Sequence, residues 1–424
     1  MDLKQRNIME KILYGDEKNI KRDTYIWNLF SNLMYSLQSV VLLLVITRRG
    51  DLNAAGEFSI FYATVHMFAT IGNYNMRNFQ VSDAKNEFGY TDYWTSRVCT
   101  CLIMLLIGCG YGFFYCNNLK YFFVVLFLVG YRFTDGIEDV VHGYIQKEGR
   151  LDIASKARTY RILMATLAFC VIYIVCENLW LASVGMMCIS ILLLMVFMQL
   201  IRRKFREINY RIALYNVGSL LKICFPLCAS SFLYNYLVNI PKYAIAKGLT
   251  TDIQAIFNIL FLPVFVINLL SIFIFNPIVA TLSVWWEKKD ISTIEKAIKK
   301  NIFIILSMTI TISFIGYFWG CKILGFIYNV DLSKYDMLLA IMILFGGIAA
   351  LVNFMGIIVT ILRKQNMIIG AYLIATAISF FISDFLVSWN GILGAGLLYG
   401  IVMIIVVLIL FAVINKSLMM EKEC

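Results

Sequence analysis

Apolar residues run through this chain in twelve blocks, each closed off by polar or charged residues. A bilayer-spanning helix needs about 20 mostly apolar residues. Blocks of that size fall at 25–46, 56–76, 93–116, 120–143, 155–176, 179–201, 221–246, 254–278, 301–319, 335–362, 367–388 and 392–414. The patterning predicts an all-α integral membrane protein of about twelve transmembrane helices. Composition agrees, because 61% of the 424 residues are hydrophobic, only 15% are charged and the mean hydropathy is +0.78. An ordinary soluble domain runs near half apolar and about a quarter charged.

The formal charge of +11 does not point to nucleic acid, since the basic residues flank apolar blocks instead of forming one continuous face. They gather in alternate loops, at Lys147 to Arg158, Arg202 to Arg211, Lys288 to Lys300, and Arg363 with Lys364. By the positive-inside rule these loops and both termini are expected to be cytoplasmic. Arg48 and Arg49 are the exception. The first twenty or so residues lack an apolar stretch ending in small residues, so no cleavable signal is expected. The eleven Cys are scattered and His66 and His142 are the only histidines, so no metal or other cofactor is expected.

The longest basic connector, IRRKFREINYRIALYNVGSL, separates the sixth block from the seventh. It divides the chain into an expected six-helix bundle over 1–206 and a second over 207–424. The connector itself reads either as an amphipathic helix on the cytoplasmic surface or as a solvated loop. Six plus six is a common layout for secondary transporters. No loop carries a GxxxxGK[ST] phosphate cradle, so transport would draw on ion gradients, membrane potential or the substrate's own gradient. A membrane polymerase or glycosyltransferase would need a large extracytoplasmic loop, and a scaffold would not need charges in its spans. The chain is therefore read as a non-enzyme.

Ionisable residues inside spans cost about 2.5–3.5 kcal/mol each at a helix centre, which makes a cluster of them a candidate functional site. The fourth block holds the densest cluster. Arg132, Asp135, Asp139 and His142 share one helical face, with Glu138 beside it. Arg132 and Asp135 are expected to pair at i,i+3 toward an aqueous interior; Glu138, Asp139 and His142 read either as cavity groups or as charges reaching water at the span's end. The second block adds a polar face of Ser59, Tyr62, His66, Asn73, Arg77 and Gln80. His66 reads either as a proton switch or as a hydrogen-bonded neutral ring, and Arg77 either faces the cavity or snorkels. The first block carries Asn28, Ser31, Asn32, Tyr35 and Ser39, and the seventh Ser231, Asn235, Asn239 and Lys242. Lys242 reads either as a cavity cation or as a snorkelling one. Cations that suit phosphate recognition are thus expected to line the pathway.

Twelve spans with both ends inside, the stretch MRNFQVSD after the second span and GYIQKEGRLDIA after the fourth resemble the Wzx-type polysaccharide flippases. These belong to the multidrug, oligosaccharidyl-lipid and polysaccharide exporter superfamily. The resemblance implies two six-helix bundles around a cation-lined cavity in a bacterial cell membrane. It implies alternating access that carries an undecaprenyl-pyrophosphate-linked oligosaccharide to the outer leaflet for cell-surface polysaccharide biosynthesis. Arg77 and Arg132 match the family's cavity arginines, with Arg48, Arg49 and Lys242 as further candidates and Asn32, Asn73 and Asn235 as polar substrate contacts. Asp135, Glu138, Asp139 and His66 are the candidate ion-coupling groups. The expected partners are the lipid-linked oligosaccharide, membrane lipids, and the polysaccharide polymerase with other assembly proteins, with no nucleic acid. The rival within the superfamily is a multidrug cation antiporter, whose cavity should be dominated by acids.

Overall fold

The computed structural model describes residues 10, 13–14, 19–49, 52–83, 86–116 and 118–422, with side chains at all of these except 272–274, 276–277, 280 and 422. Helices make up almost all of it. In chain order they are α1 (Ile20–Arg48), α2 (Leu52–Asn73), α3 (Met76–Ser82), α4 (Tyr90–Tyr115), α5 (Leu119–Lys147), α6 (Leu151–Cys176) and α7 (Leu179–Lys204). Then follow α8 (Val217–Gly248), α9 (Thr251–Glu287), α10 (Ile291–Ile315), α11 (Cys321–Tyr328), α12 (Asp336–Ile361) and α13 (Asn366–Lys422). A five-residue π turn, Gly316–Gly320, joins α10 to α11 in one continuous rod. Inside α13, Asn390 (φ −135°) and Gly391 (φ 54°) leave the helical region, so two rods meet there. Each of the twelve apolar blocks lies on its own rod.

Among the described residues, nine helical stretches are long and apolar enough to cross a membrane, α13 counting once. The chain is a multi-pass membrane protein. The two rods outside that set are α2 and α5, which hold the polar face and the charge cluster. Their polarity is the reason they are less apolar, and it has to be satisfied by other protein groups because lipid offers none.

Short polar connections cap the rods. Asn118 accepts a hydrogen bond from the Lys120 amide at 3.0 Å, Asn178 from the Trp180 amide at 3.1 Å and Asp290 from the Thr293 amide at 3.2 Å. Each side chain satisfies an amide that the first helical turn leaves without a partner.

Two expectations need correction. The polar face read along the second block does not continue through Arg77 and Gln80 on one helix. Tyr74 and Asn75 take left-handed backbone conformations (φ 49° and 48°), ending α2 and restarting the chain as α3. The other is the helix reading of the connector after α7, which is a loop: Ile208 is buried, Tyr210 packs 4.7 Å from Trp94 and Ala213 N–H donates to Thr95 Oγ1 at 3.0 Å, while Arg206, Arg211, Ile212 and Tyr215 are exposed.

The fold has two compact units: Met1–Gly50 with Phe61–Phe232, and Asp51–Ile60 with Leu233–Cys424. The connector and the first half of α8 thus fall within the first unit. There, an apolar core including Tyr93, Ile137, Val141, Ile153 and Phe197 packs α4, α5, α6 and α7 together. Glycines on α5 allow close approach. A Cβ on Gly136 would lie 2.5 Å from Cys101 Sγ on α4, and one on Gly143 would overlap Gln80 of α3. We predict that Gly136→Ala destabilises the protein by about 1–3 kcal/mol through overpacking. Thermal unfolding in micelles should show the loss, and Cys101→Ala in the same chain should restore most of it; an unchanged midpoint for the single variant contradicts the close approach.

Candidate functional site

The site grows from the second half of α5. Positions three and four apart share a helix face, so Arg132, Asp135, Glu138, Asp139 and His142 line up toward neighbouring rods. Each acid meets a guanidinium. Arg132 Nη1 donates to Asp135 Oδ2 at 2.7 Å. Arg161 of α6, fully buried, donates from Nη2 to Asp135 Oδ1 at 2.5 Å and to Glu138 Oε2 at 2.6 Å. Its Nη1 reaches Thr134 Oγ1 at 3.1 Å and Ser190 Oγ of α7 at 2.7 Å. One guanidinium therefore ties α5, α6 and α7 together.

Asp139 is held in the same way from the other side. Arg97 of α4, also fully buried, donates to Asp139 Oδ2 at 2.8 Å and to the Gly72 carbonyl at 3.1 Å. Arg77 of α3 donates to Asp139 Oδ1 at 3.2 Å and to Gln146 Oε1 at 2.8 Å. The break at Tyr74 and Asn75 is what lets α3 turn so that Arg77 meets α5. His142 Nε2 stands 3.8 Å from Glu138 Oε1.

An uncharged network continues the cluster toward α1. Gln38 donates to Tyr131 Oη and Thr166 Oγ1, both at 2.9 Å, and accepts from Tyr62 Oη at 3.0 Å. The Arg132 guanidinium lies 4.9 Å from the Tyr62 ring centroid and 5.5 Å from that of Tyr35. Aromatic faces hold a cation by attraction to the ring quadrupole.

These groups surround a recess of about 280 Å³, including its open mouth, lined by Tyr35, Asn73, Arg77, Asp135, Glu138, Asp139, His142 and Arg158. Arg158 stacks on Tyr35, its guanidinium carbon 4.4 Å from the ring centroid. Three carboxylates thus face five guanidinium groups, those of Arg77, Arg97, Arg132, Arg158 and Arg161. Arginine stays charged in proteins. The lining itself has two guanidinium groups, Arg77 and Arg158, against three carboxylates; the surplus of cations belongs to the cluster as a whole, through the buried Arg97, Arg132 and Arg161 behind those acids.

The structure brings together Arg77, Arg132, Asn73, Asp135, Glu138 and Asp139 from the expected set. His66 packs against Tyr35 at 6.0 Å between ring centroids but does not line the recess. Arg48, Arg49 and Asn32 are exposed and do not line this recess. Arg49 lies 3.6 Å from Glu177, and Asn32 donates to Asn28 Oδ1 at 3.4 Å. Arg97 and Arg161 carry the cluster and were absent from the expected set. Their signal was a guanidinium one to two turns past the start of the third and fifth blocks.

The second unit has a different character. Lys242 is buried rather than snorkelling, with its Nζ 5.3 Å and 5.7 Å from the ring centroids of Phe261 and Phe265. The Asn235 backbone carbonyl, on the same helix, accepts a hydrogen bond from Asn239 Nδ2 at 2.9 Å. Asn353 donates to Tyr234 Oη and to Asn268 Oδ1, both at 3.0 Å.

No protein-family model matches the chain, and no curated protein matches its sequence. Solved structures do. An inward-facing multidrug resistance MATE family transporter of the MOP superfamily is 12% identical, with a TM-score of 0.66 over 92% of this chain and 95% of that one. The Vibrio cholerae MATE transporter VcmN in its bent form is 11% identical, with a TM-score of 0.62 over 99% of each chain. A MOP superfamily transporter from Pyrococcus furiosus, described as having a binding pocket of reverse polarity, is 14% identical, with a TM-score of 0.59 over 97% of this chain and 98% of that one. The fold is that of the MATE transporters. At such identities the MATE likeness carries the arrangement of helices and leaves the chemistry to this chain's own residues.

Removing one partner of a buried charge pair is costly because the other charge is left without compensation. We predict that Arg161→Ala lowers stability in micelles by about 3–5 kcal/mol. The triple variant Arg161→Met, Asp135→Asn, Glu138→Gln should be markedly more stable than Arg161→Ala alone. Equal unfolding midpoints for Arg161→Ala and wild type would show that the pairing does not hold these helices.

Proposed function

We propose that this chain is a transporter that carries an undecaprenyl-pyrophosphate-linked oligosaccharide from the cytoplasmic to the outer leaflet of a bacterial membrane by alternating access. The observation that carries the proposal is the surplus of guanidinium groups in the charge cluster of the first unit, five against three carboxylates, with Arg77 and Arg158 on the recess itself. A pyrophosphate diester brings negative charge, and arginine meets phosphate oxygens with two parallel hydrogen bonds. The oligosaccharide would meet the hydroxyl and carboxamide groups of α1 and α2, while the prenyl tail stays in lipid. Moving negative charge outward across an inside-negative potential is favourable by about 2.3 kcal/mol per charge per 100 mV. Asp135, Glu138 and Asp139 are the groups through which a proton or sodium ion would couple.

The MATE-like fold supports transport, and two of the similar structures are of multidrug resistance transporters. A cation antiporter is the second reading, favoured by the three carboxylates at the recess. The description of the P. furiosus neighbour shows that reversed pocket polarity has been met on this fold. For this chain the excess of arginine favours an anionic cargo.

The test is translocation of a fluorescent undecaprenyl-pyrophosphate oligosaccharide in proteoliposomes, with a cationic dye as the parallel cargo. Wild type should move the lipid and not the dye, faster with an inside-negative potential. Arg77→Ala, which removes a partly exposed recess cation, should slow the lipid at least about tenfold. Dye transport without lipid transport would establish the antiporter.

A further inference from the structure

The connector from α7 to α8 joins two membrane spans, Leu179–Lys204 and Val217–Gly248, so it lies where the chain leaves and re-enters the bilayer. Its inner side is fastened to the first turns of α4. Ile208 is buried, Tyr210 packs on Trp94, Ala213 N–H donates to Thr95 Oγ1 at 3.0 Å, and Asn216 Nδ2 donates to Asp92 Oδ2 at 3.2 Å. Between these attachments other side chains are held outward. Ile212, Leu214 and Tyr215 are 67%, 69% and 95% exposed, and Arg206 and Arg211 are exposed beside them. Among the described residues, neither arginine side chain makes a hydrogen bond or ion pair. The one acid of the connector, Glu207, accepts a hydrogen bond from Tyr144 Oη at 2.8 Å. Basic residues at the end of a span follow from topology alone. Apolar side chains held out by a pinned loop do not, because each costs free energy in water.

We infer that this connector is a docking surface for the anionic phospholipids of the adjoining leaflet. Arg206 and Arg211 take the lipid phosphates, while Ile212, Leu214 and Tyr215 enter the region between headgroups and acyl chains. A bilayer surface is the occupant that matches both chemistries at this place: it offers negative charge outside and hydrocarbon just beneath. Tyr215 suits that boundary, having an apolar ring and a polar tip. The attachments to α4 hold the loop in position before any lipid arrives, so little further ordering is needed on docking. The assignment is independent of the cargo and of the charge cluster around α5.

Amide hydrogen exchange of the connector over 209–216 tests the assignment, with the full chain held in nanodiscs of phosphatidylglycerol or of phosphatidylcholine. Each protein is compared with itself in the two lipids, so a substitution's effect on intrinsic exchange cancels. Wild-type amides should exchange about fivefold or more slowly in phosphatidylglycerol, since each basic residue near an anionic surface is worth about fivefold in affinity. Arg206→Gln with Arg211→Gln should lose most of that difference. Leu214→Ser with Tyr215→Ser, which keeps both arginines, should lose part of it. Lys299→Gln with Lys300→Gln removes the same charge from exposed positions of α10 in the second unit and should keep the full difference. Equal exchange of the wild-type connector in the two lipids would overturn the proposal. So would an undiminished difference in Arg206→Gln with Arg211→Gln, or an equal loss in Lys299→Gln with Lys300→Gln, which would make the effect one of net charge alone.

Discussion

The first unit depends on the buried guanidinium of Arg161. It faces Asp135, Glu138, Thr134 and Ser190 at hydrogen-bond distance and is itself out of contact with solvent. Water is scarce at this depth, so each charge on α5 must be met by another protein group. That requirement determines which helices lie beside α5. Arg161 brings α6, Ser190 brings α7, Arg97 brings α4 and Arg77 brings α3. Gly136 and Gly143 then set how closely α4 and α3 can approach. Electrostatics selects the neighbours, and small residues allow the contact.

The same arrangement explains why a site so rich in ions carries a surplus of one sign. Paired arginines neutralise the acids of α5, and Arg158 adds a further cation at the recess. Among the described residues the second unit offers no comparable cluster: its buried Lys242 rests on phenylalanine rings. The proposed recognition of an anionic headgroup therefore rests on the first unit. The MATE-like fold supplies the scaffold, and the proposal for the cargo rests on these side chains.

Much of the helix framework was legible because span length and apolarity are imposed by the bilayer itself. The Arg132 and Asp135 pair was legible too, since helical periodicity places i and i+3 together. Arg97 and Arg161 were not read because each lies within two turns of the expected start of its span, where snorkelling accounts for a charge without a partner in the core. Arg48, Arg49 and Asn32 lie apart from the recess; spacing shows that polar residues share a face and does not say which surface that face meets. The turn at Tyr74 and Asn75 had signals in Gly72, Asn73 and Asn75, but they lay inside a block of span length, and the turn moved Arg77 from the end of one helix to the start of another. The connector after α7 looked amphipathic in sequence, yet only Ile208 and Tyr210 of its apolar positions pack into the core of the first unit, and Ile212 stays exposed.

The most direct test of an anion-selective recess is an experimentally determined structure of the full chain with undecaprenyl-pyrophosphate oligosaccharide bound. The account predicts phosphate density in the first-unit recess within hydrogen-bond reach of Arg77 or Arg158, with the Asp135–Arg161 and Asp139–Arg97 pairs intact. Headgroup density held elsewhere, or a cationic molecule seated on Asp135 and Asp139 with the arginines turned away, would contradict it.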